Sequence, residues 1–220
     1  MNQFSPTPRS RVKRMPERAR YDAETVHSII DAAAYCHIGY VIAGKPYVTA
    51  TAHWRHGSRV YWHGSSASRM LEHQAEGAEV CFSVTHIDGF VLARSAFHHS
   101  INYRSVVAFG TAEPVRGEDE KRVALEAFVE RLFPGRMQEM RSPNARELKA
   151  TLVLSMELTE AAAKIRTGPP KDDEEDYTLP IWAGVLPVHP GFEAPIPDPR
   201  LGAGIAAPPY LDGFAFARKS

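Results

Sequence analysis

Two β-rich runs separated by a two-residue turn constrain the fold of this chain more than any other feature. Residues 47–56 and 59–63 flank Gly57-Ser58, a dipeptide typical of tight hairpin turns. With this turn, Trp54 faces Tyr61 across the two strands. Each face of the hairpin then carries large aromatic side chains and neither face is cleanly polar, so the pattern predicts that both faces are covered.

The remaining segments predict further strands and two or three helices. Strands are expected at residues 37–42, 79–85, 90–93, 103–113 and 151–158. One helix begins after Asp22, which is placed to cap it, and another covers residues 118–132 before a Pro-Gly stop. Short links between the strands favour antiparallel pairing. The sequence therefore predicts an α+β, mainly β fold, in which about six antiparallel strands form a barrel with peripheral helices.

Composition along the chain predicts one folded domain between two tails. Residues 1–20 form a basic N-terminal arm, residues 21–168 the folded domain, and residues 169–220 an acidic loop followed by a Pro/Gly-rich tail. The tail is expected to pack over the barrel or a partner subunit, and the acidic run 171–176 to be solvated. Because the formal net charge is +0 and the pI is about 7.2, the arm is expected to clamp its own domain or a partner subunit rather than nucleic acid.

Several classes of protein and site are not expected. No apolar run approaches the roughly 18 residues that a membrane span requires, so we expect a cytoplasmic protein without a membrane partner. Cys36 and Cys81 lie in apolar segments and predict buried free thiols. The adjacent His98 and His99 would point to opposite faces of a strand, and no metal site is expected. No pattern assigns a catalytic nucleophile, so the catalytic side chains stay unknown.

A serine-rich turn after the second hairpin strand predicts an anion site. Gly64 ends the strand, Ser65 and Ser68 can cap the next helix, and Arg69 adds a planar, permanently charged guanidinium. Phosphate suits free backbone amides at a helix start beside an arginine. The alternative is an ordinary serine-capped helix with a surface arginine.

The run PYVTATAHWRHGSRVYWHGSSASRML, followed by DGFVLARSAFHHSINYRSVVAFG, resembles a known family. It is similar to the flavin mononucleotide (FMN)-binding split-barrel family related to pyridoxamine 5'-phosphate oxidase, in particular to its nitroimidazole-resistance-like branch. KIRTGPP and WAGVLP follow in the family's order, so the resemblance runs from about residue 9 to Trp182. It implies a six-stranded antiparallel split β-barrel.

The resemblance also implies which residues hold FMN. The phosphate would be held by His63, Gly64, Ser65, Ser68 and Arg69. The isoalloxazine ring would lie along Thr49, Ala50 and Thr51, where this chain lacks the proline that many relatives have. A strand beside the flavin and the dimer interface would contribute Tyr103, Arg104 and Ser105. A C-terminal segment carrying Trp182 would cover the ring.

These implications predict an FMN-dependent oxidoreductase that acts on a small organic molecule. The alternative is a flavin, deazaflavin or haem binder that senses or stores its ligand without turnover. A homodimer with the flavin at its interface is expected. Part of that expectation is that flavin and the second subunit cover the hairpin face with Trp54, Tyr61 and His63.

Overall fold

The computed structural model describes residues 3–212 and 214. The strands are β1 (Ala19–Arg20), β2 (Tyr35–Ile42), β3 (Lys45–His56), β4 (Arg59–Ser65), β5 (Glu79–Leu92), β6 (Ser100–Thr111), β7 (Glu113–Pro114), β8 (Thr151–Glu157), β9 (Glu160–Arg166) and β10 (Gly184–Pro187). The α-helices are α1 (Ala23–Asp31), α2 (Arg69–Ala75), α3 (Glu118–Leu132) and α4 (Ala145–Ala150). This mainly β architecture with few helices confirms the predicted fold class.

All strand pairs are antiparallel, and the sheet runs in the order β1-β9-β6-β5-β2-β3-β4-β8-β7, with β10 added beside β5. β3 links two parts of this sheet. It pairs with β2 from Lys45 to Ala52 and with β4 from His53 to His56. Between Lys45 and Ala52, the edge of β3 away from β2 therefore pairs with no described strand.

The hairpin forms in the predicted register. Trp54 lies opposite Tyr61, and their rings stack with centroids 5.5 Å apart. Gly57 has a φ of 59°, a left-handed conformation that glycine adopts without steric cost. The turn chemistry and the aromatic pair therefore specify the same register.

The main core lies between the inner face of the sheet and α1. The Asp22 side chain caps α1 by accepting a 2.8 Å hydrogen bond from the Thr25 amide. Val26, Ile29 and Ile30 on the buried face of α1 pack against Phe82, Trp62 and other sheet residues. The three- and four-residue spacing thus produces the helical face that the sequence predicts.

A second, smaller core lies on the opposite side of the hairpin, under α3. Trp54 is only 2% exposed there and packs with Val115, Ala124 and Val153. The expectation that flavin and a second subunit cover this face is therefore wrong. Helix α3 of the same chain covers it, because its apolar positions match the aromatic hairpin face.

The expectation of about six strands is also wrong: the described residues form ten. The two segments expected at 79–85 and 90–93 are one strand, β5, with a bulge between Ile87 and Gly89. The sequence of β9, EAAAKIR, has little β-branched density, and its pairing with β6 and β1 comes from the tertiary fold. The other additions, β1, β7 and β10, are only two to four residues long.

Within the described residues, parts of both tails pack on the folded domain. In the N-terminal arm Phe4 is buried in the main core, and the Arg9 Nε donates to Glu160 at 2.8 Å. In the C-terminal tail β10 extends the sheet beside β5. The acidic loop is not solvated throughout, because the buried Asp172 carboxylate accepts from the backbone amide and the guanidinium of Arg94, each at 2.9 Å.

Both cysteines are free thiols. Cys36 is fully buried, and burial raises the pKa of its thiol to about 12. Cys81 is only partly buried. Among the described residues, no helix combines the length and the apolar character that crossing a bilayer requires.

Candidate functional site

The serine-rich turn joins β4 to α2 and uses some of its polar groups internally. The Ser65 hydroxyl accepts from the Ala67 amide at 3.2 Å, and the Ser66 amide donates to the Ala150 carbonyl at 2.9 Å. Ser68 is the N-cap residue of α2, yet its hydroxyl makes no capping hydrogen bond. The Ser68 hydroxyl is therefore not committed to the helix cap.

Gly64 has a packing role in the same turn. A Cβ atom at this position would lie 2.9 Å from the Leu71 Cδ1 atom, closer than side chains tolerate. Leu71 is 1% exposed, so it has little room to move. Glycine at position 64 thus lets α2 pack directly on β4.

Arg69, the first residue of α2, lies exposed beside β3. Its guanidinium stands 5.3 Å from the centre of the Tyr47 ring. Within the described part of the chain it forms no ion pair. Tyr47 stacks on Tyr40 at 5.5 Å, and the Tyr40 hydroxyl lies 3.2 Å from Thr49 Oγ1. The fold therefore brings Arg69 and the first of the predicted ring-contacting residues into one neighbourhood.

The segment Thr49–Ala50–Thr51 presents a free backbone edge. It pairs with Ile38, His37 and Cys36 of β2, and no described strand pairs with its other edge. Ala50 is exposed on the outer face of the sheet, whereas Thr49 and Thr51 alternate to the inner face. Unpaired amides and carbonyls at such an edge are available to a ligand.

His63 occupies a different environment, under α3. Its ring packs edge-on against Phe128, at a centroid distance of 4.7 Å, and against Trp54, at 5.7 Å. Its Nδ1 is buried without a hydrogen-bond partner in the described residues, and burial lowers the pKa of the imidazole. The resemblance implied a ligand to flavin phosphate; the structure places the imidazole in a mainly apolar enclosure, which favours its neutral form.

A cavity of about 410 Å³ opens beside this imidazole. Helix α3 and the segment after it supply most of its lining, including Phe128, Met137, Met140 and Arg141. Sequence reasoning missed this cavity, because only the tertiary fold brings His63 of β4 against the other lining residues, which lie between positions 125 and 151. Apolar lining with a few polar groups is typical of small-molecule and cofactor sites.

The residues predicted on β6 lie in another part of the sheet. Tyr103 and Ser105 are on its outer face, and the Ser105 hydroxyl donates to the Lys164 carbonyl at 3.3 Å. Arg104 is on the inner side, where its Nε and Nη2 donate to Asp88 at 3.0 and 2.8 Å. Since β2 and β5 separate β6 from β3, this group lies about 14 Å across the sheet from residues 49–51.

Trp182 lies just before β10. Its ring packs so closely on Gly184 that a Cβ atom at position 184 would be 2.9 Å from the ring. Trp182 is nevertheless 69% exposed. An exposed indole at this place is free to contact a ligand or another chain. The described residues contain no group of three or more His, Cys, Asp or Glu side chains arranged to hold a metal ion.

Comparison with known proteins places this geometry in a family. Residues 22–165 match the family model described as pyridoxamine 5'-phosphate oxidase. The chain belongs to the pyridoxamine 5'-phosphate oxidase family. A search of curated proteins gave no match.

Two solved structures resemble this family member over almost its whole length. The flavocytochrome Anf3 from Azotobacter vinelandii is 44% identical, with 96% of this chain and 99% of that chain covered and a TM-score of 0.90. The FAD and heme binding protein from Mycobacterium smegmatis is 35% identical, with coverages of 90% and 98% and a TM-score of 0.86.

A more distant structure shares the fold alone. It is a putative 5-nitroimidazole antibiotic resistance protein from Bacteroides thetaiotaomicron, 20% identical, with 67% of this chain and 86% of that chain covered and a TM-score of 0.55. The family match over residues 22–165 confirms, at the level of the family, the resemblance seen in the sequence.

Proposed function

We propose that this chain is a flavin- and haem-binding oxidoreductase that transfers electrons to a small organic substrate. The observation that carries the proposal is the 44% identity to a flavocytochrome over nearly the full length of both chains. The family match supports the flavin, and the M. smegmatis protein, named for FAD and heme, supports the pair of cofactors. The sequence resemblance favours FMN as the flavin, whereas the name of the M. smegmatis protein favours FAD.

The free edge of β3 and Arg69 are the groups that fit a flavin. Backbone amides and carbonyls of residues 49–51 suit the polar edge of a flat ring. The unpaired guanidinium of Arg69, beside the uncommitted Ser68 hydroxyl, suits a phosphate. A bound flavin supplies hydride and single-electron transfer, while these residues supply position and electrostatics.

The cavity beside His63 is the place that fits a haem. A neutral imidazole is the form of histidine that binds iron, and burial favours that form by lowering the pKa of His63. Met137 and Met140 in the lining add polarisable sulfur, and Leu125 and Phe128 add apolar surface. His63 would hold the iron, and the cavity walls would exclude water from it.

A homodimer with flavin at its interface is part of the proposal. The outer sheet face on β2 and β3 exposes Tyr35 by 59%, Val41 by 54% and Val48 by 70%. Ala50 lies on the same exposed face. A second copy of the chain would cover this apolar face through a two-fold contact. The residues on β3 and on β6, which are three strand spacings apart in one chain, would then line a shared groove.

The test is to purify the full chain and identify its cofactors. We expect a flavin absorbance band together with a haem Soret band, and the mass of the flavin released by acid distinguishes FMN from the FAD named for the M. smegmatis protein. Protein with neither chromophore after supply of both would refute the proposal.

Two substitutions separate the two sites. His63→Ala should abolish haem binding and leave flavin bound, whereas Arg69→Ala should weaken flavin binding and leave haem bound. His56→Ala, at an exposed position next to the hairpin turn, is the control for both. Loss of both cofactors in either variant, with the fold retained by circular dichroism, would contradict the assignment.

Turnover needs a separate measurement. Reduction of the bound flavin by NADH or NADPH, followed by reoxidation with a nitroaromatic or quinone, would support the oxidoreductase. If the protein binds a stoichiometric amount of flavin and neither NADH nor NADPH reduces it, the result would instead support the alternative function, a protein that senses or stores flavin.

A further inference from the structure

A cleft with an excess of positive charge lies between the N-terminal arm and the outer face of the sheet. Its volume is about 320 Å³, and residues 9–14 form its wall. Its floor consists of Ser105, Val107 and Phe109 on β6 with Ala162 and Lys164 on β9. The floor is therefore mainly apolar, while the wall is cationic.

The positive charge in this cleft is not neutralised by the protein. Arg11, Lys13, Arg14 and Lys164 line it, and none of their side chains forms an ion pair or hydrogen bond within residues 3–212. No carboxylate lines the cleft. Cations gathered in one cleft repel each other, so an anion with more than one charge would relieve the repulsion.

Two residues anchor this segment of the arm. The Arg9 Nε donates to Glu160 at 2.8 Å, and the Arg9 guanidinium lies 4.8 Å from the centre of the Phe109 ring. Three residues later the Val12 amide donates to the Tyr21 hydroxyl at 3.0 Å. The cleft is thus formed before a ligand arrives, which lowers the entropy cost of binding.

We propose that this cleft binds the adenosine diphosphate part of a dinucleotide. The apolar side chains of Val107, Phe109 and Ala162 suit a flat base, and the unpaired cations suit two linked phosphates. Two kinds of ligand contain an adenosine diphosphate part: a flavin dinucleotide and a nicotinamide dinucleotide. Ser105, which the resemblance places beside the flavin, lies in the floor. The flavin source rests on the proposed function, whereas binding of ADP itself does not.

The experiment titrates ADP into the full chain by calorimetry and compares two triple variants. The first carries Arg11→Gln, Lys13→Gln and Arg14→Gln. The control carries Arg116→Gln, Arg146→Gln and Lys149→Gln, which removes the same charge from exposed residues outside the cleft. We expect the first variant to bind ADP at least tenfold more weakly than wild type, and the control to bind as wild type does. The single variant Lys164→Gln, on the floor, should weaken binding as well.

Three outcomes decide the proposal and its source. If the arm variant also binds FAD at least tenfold more weakly but FMN unchanged, the ligand is the flavin dinucleotide. If FAD and FMN bind unchanged while NADH binding falls with ADP, the ligand is a nicotinamide dinucleotide. Equal ADP affinity in wild type, arm variant and control, or no ADP binding by wild type, overturns the proposal. Loss of flavin with intact ADP binding would count against the proposed function alone.

Discussion

Arg69→Ala gives the sharpest test of the flavin site, because Arg69 contributes little to the folded chain. It is exposed, and its described interaction is a cation–π contact with Tyr47. Such a contact is worth about 0.5–1 kcal/mol at an exposed site. We therefore expect the free energy of unfolding to fall by no more than about 1 kcal/mol.

The effect on flavin binding should be larger. One charge-assisted hydrogen bond to phosphate contributes about 1.5–3 kcal/mol, and each 1.4 kcal/mol changes Kd about tenfold. Loss of one such bond therefore raises the Kd for FMN about 10- to 150-fold. The Kd for riboflavin, which lacks the phosphate, should not change.

Fluorescence titration of apoprotein with FMN and with riboflavin measures both constants. Arg146→Ala removes an exposed arginine of α4 and is the matched control. If Arg69→Ala leaves the Kd for FMN unchanged, Arg69 is an ordinary surface residue. If the affinities for FMN and riboflavin fall equally, the contact of Arg69 is not with the phosphate.

Three other perturbations test the packing, the pH response and the dimer. Trp54→Ala should lower the free energy of unfolding by about 3–5 kcal/mol in urea melts, because Trp54 is 2% exposed under α3; a loss below 1 kcal/mol would contradict that packing. Burial lowers the pKa of His53 to about 4 from an ordinary 6.5, so between these pH values the unfolded chain binds more protons than the folded chain. The free energy of unfolding should therefore fall by about 3 kcal/mol as the pH drops from 6.5 towards 4. His53→Asn should flatten this fall in pH-dependent urea melts. Val48→Lys places a charge on a residue that is 70% exposed, so it should dissociate the proposed dimer without loss of fold, as measured by light scattering. A variant that stays dimeric would show that the interface lies elsewhere.

Local signals made much of the fold predictable. The Gly57-Ser58 turn fixes the register of its hairpin, and the apolar spacing after Asp22 fixes α1. Helix α3 has the predicted bounds because a Pro-Gly stop follows it. In each case residues close in sequence determine the structure, so no knowledge of the tertiary fold was needed.

Features that depend on distant contacts were not predictable. Strand β9 is alanine-rich, and its neighbours rather than its own propensity make it a strand. The cavity beside His63 joins residues more than 80 positions apart. The ion pair between Arg104 and Asp88 joins β6 to a bulged segment of β5, which the sequence indicated as a turn.

Strand β10, which the C-terminal tail contributes, limits how far the chain can be truncated. β10 covers residues 89–92 of β5, and Phe4 fills part of the main core from the other end of the chain. A fragment limited to the family match, residues 22–165, would lose both. It would expose the backbone edge of a long strand and leave a hole in the core, two defects that promote aggregation. Expression for crystallography should therefore retain residues 3–188 at least.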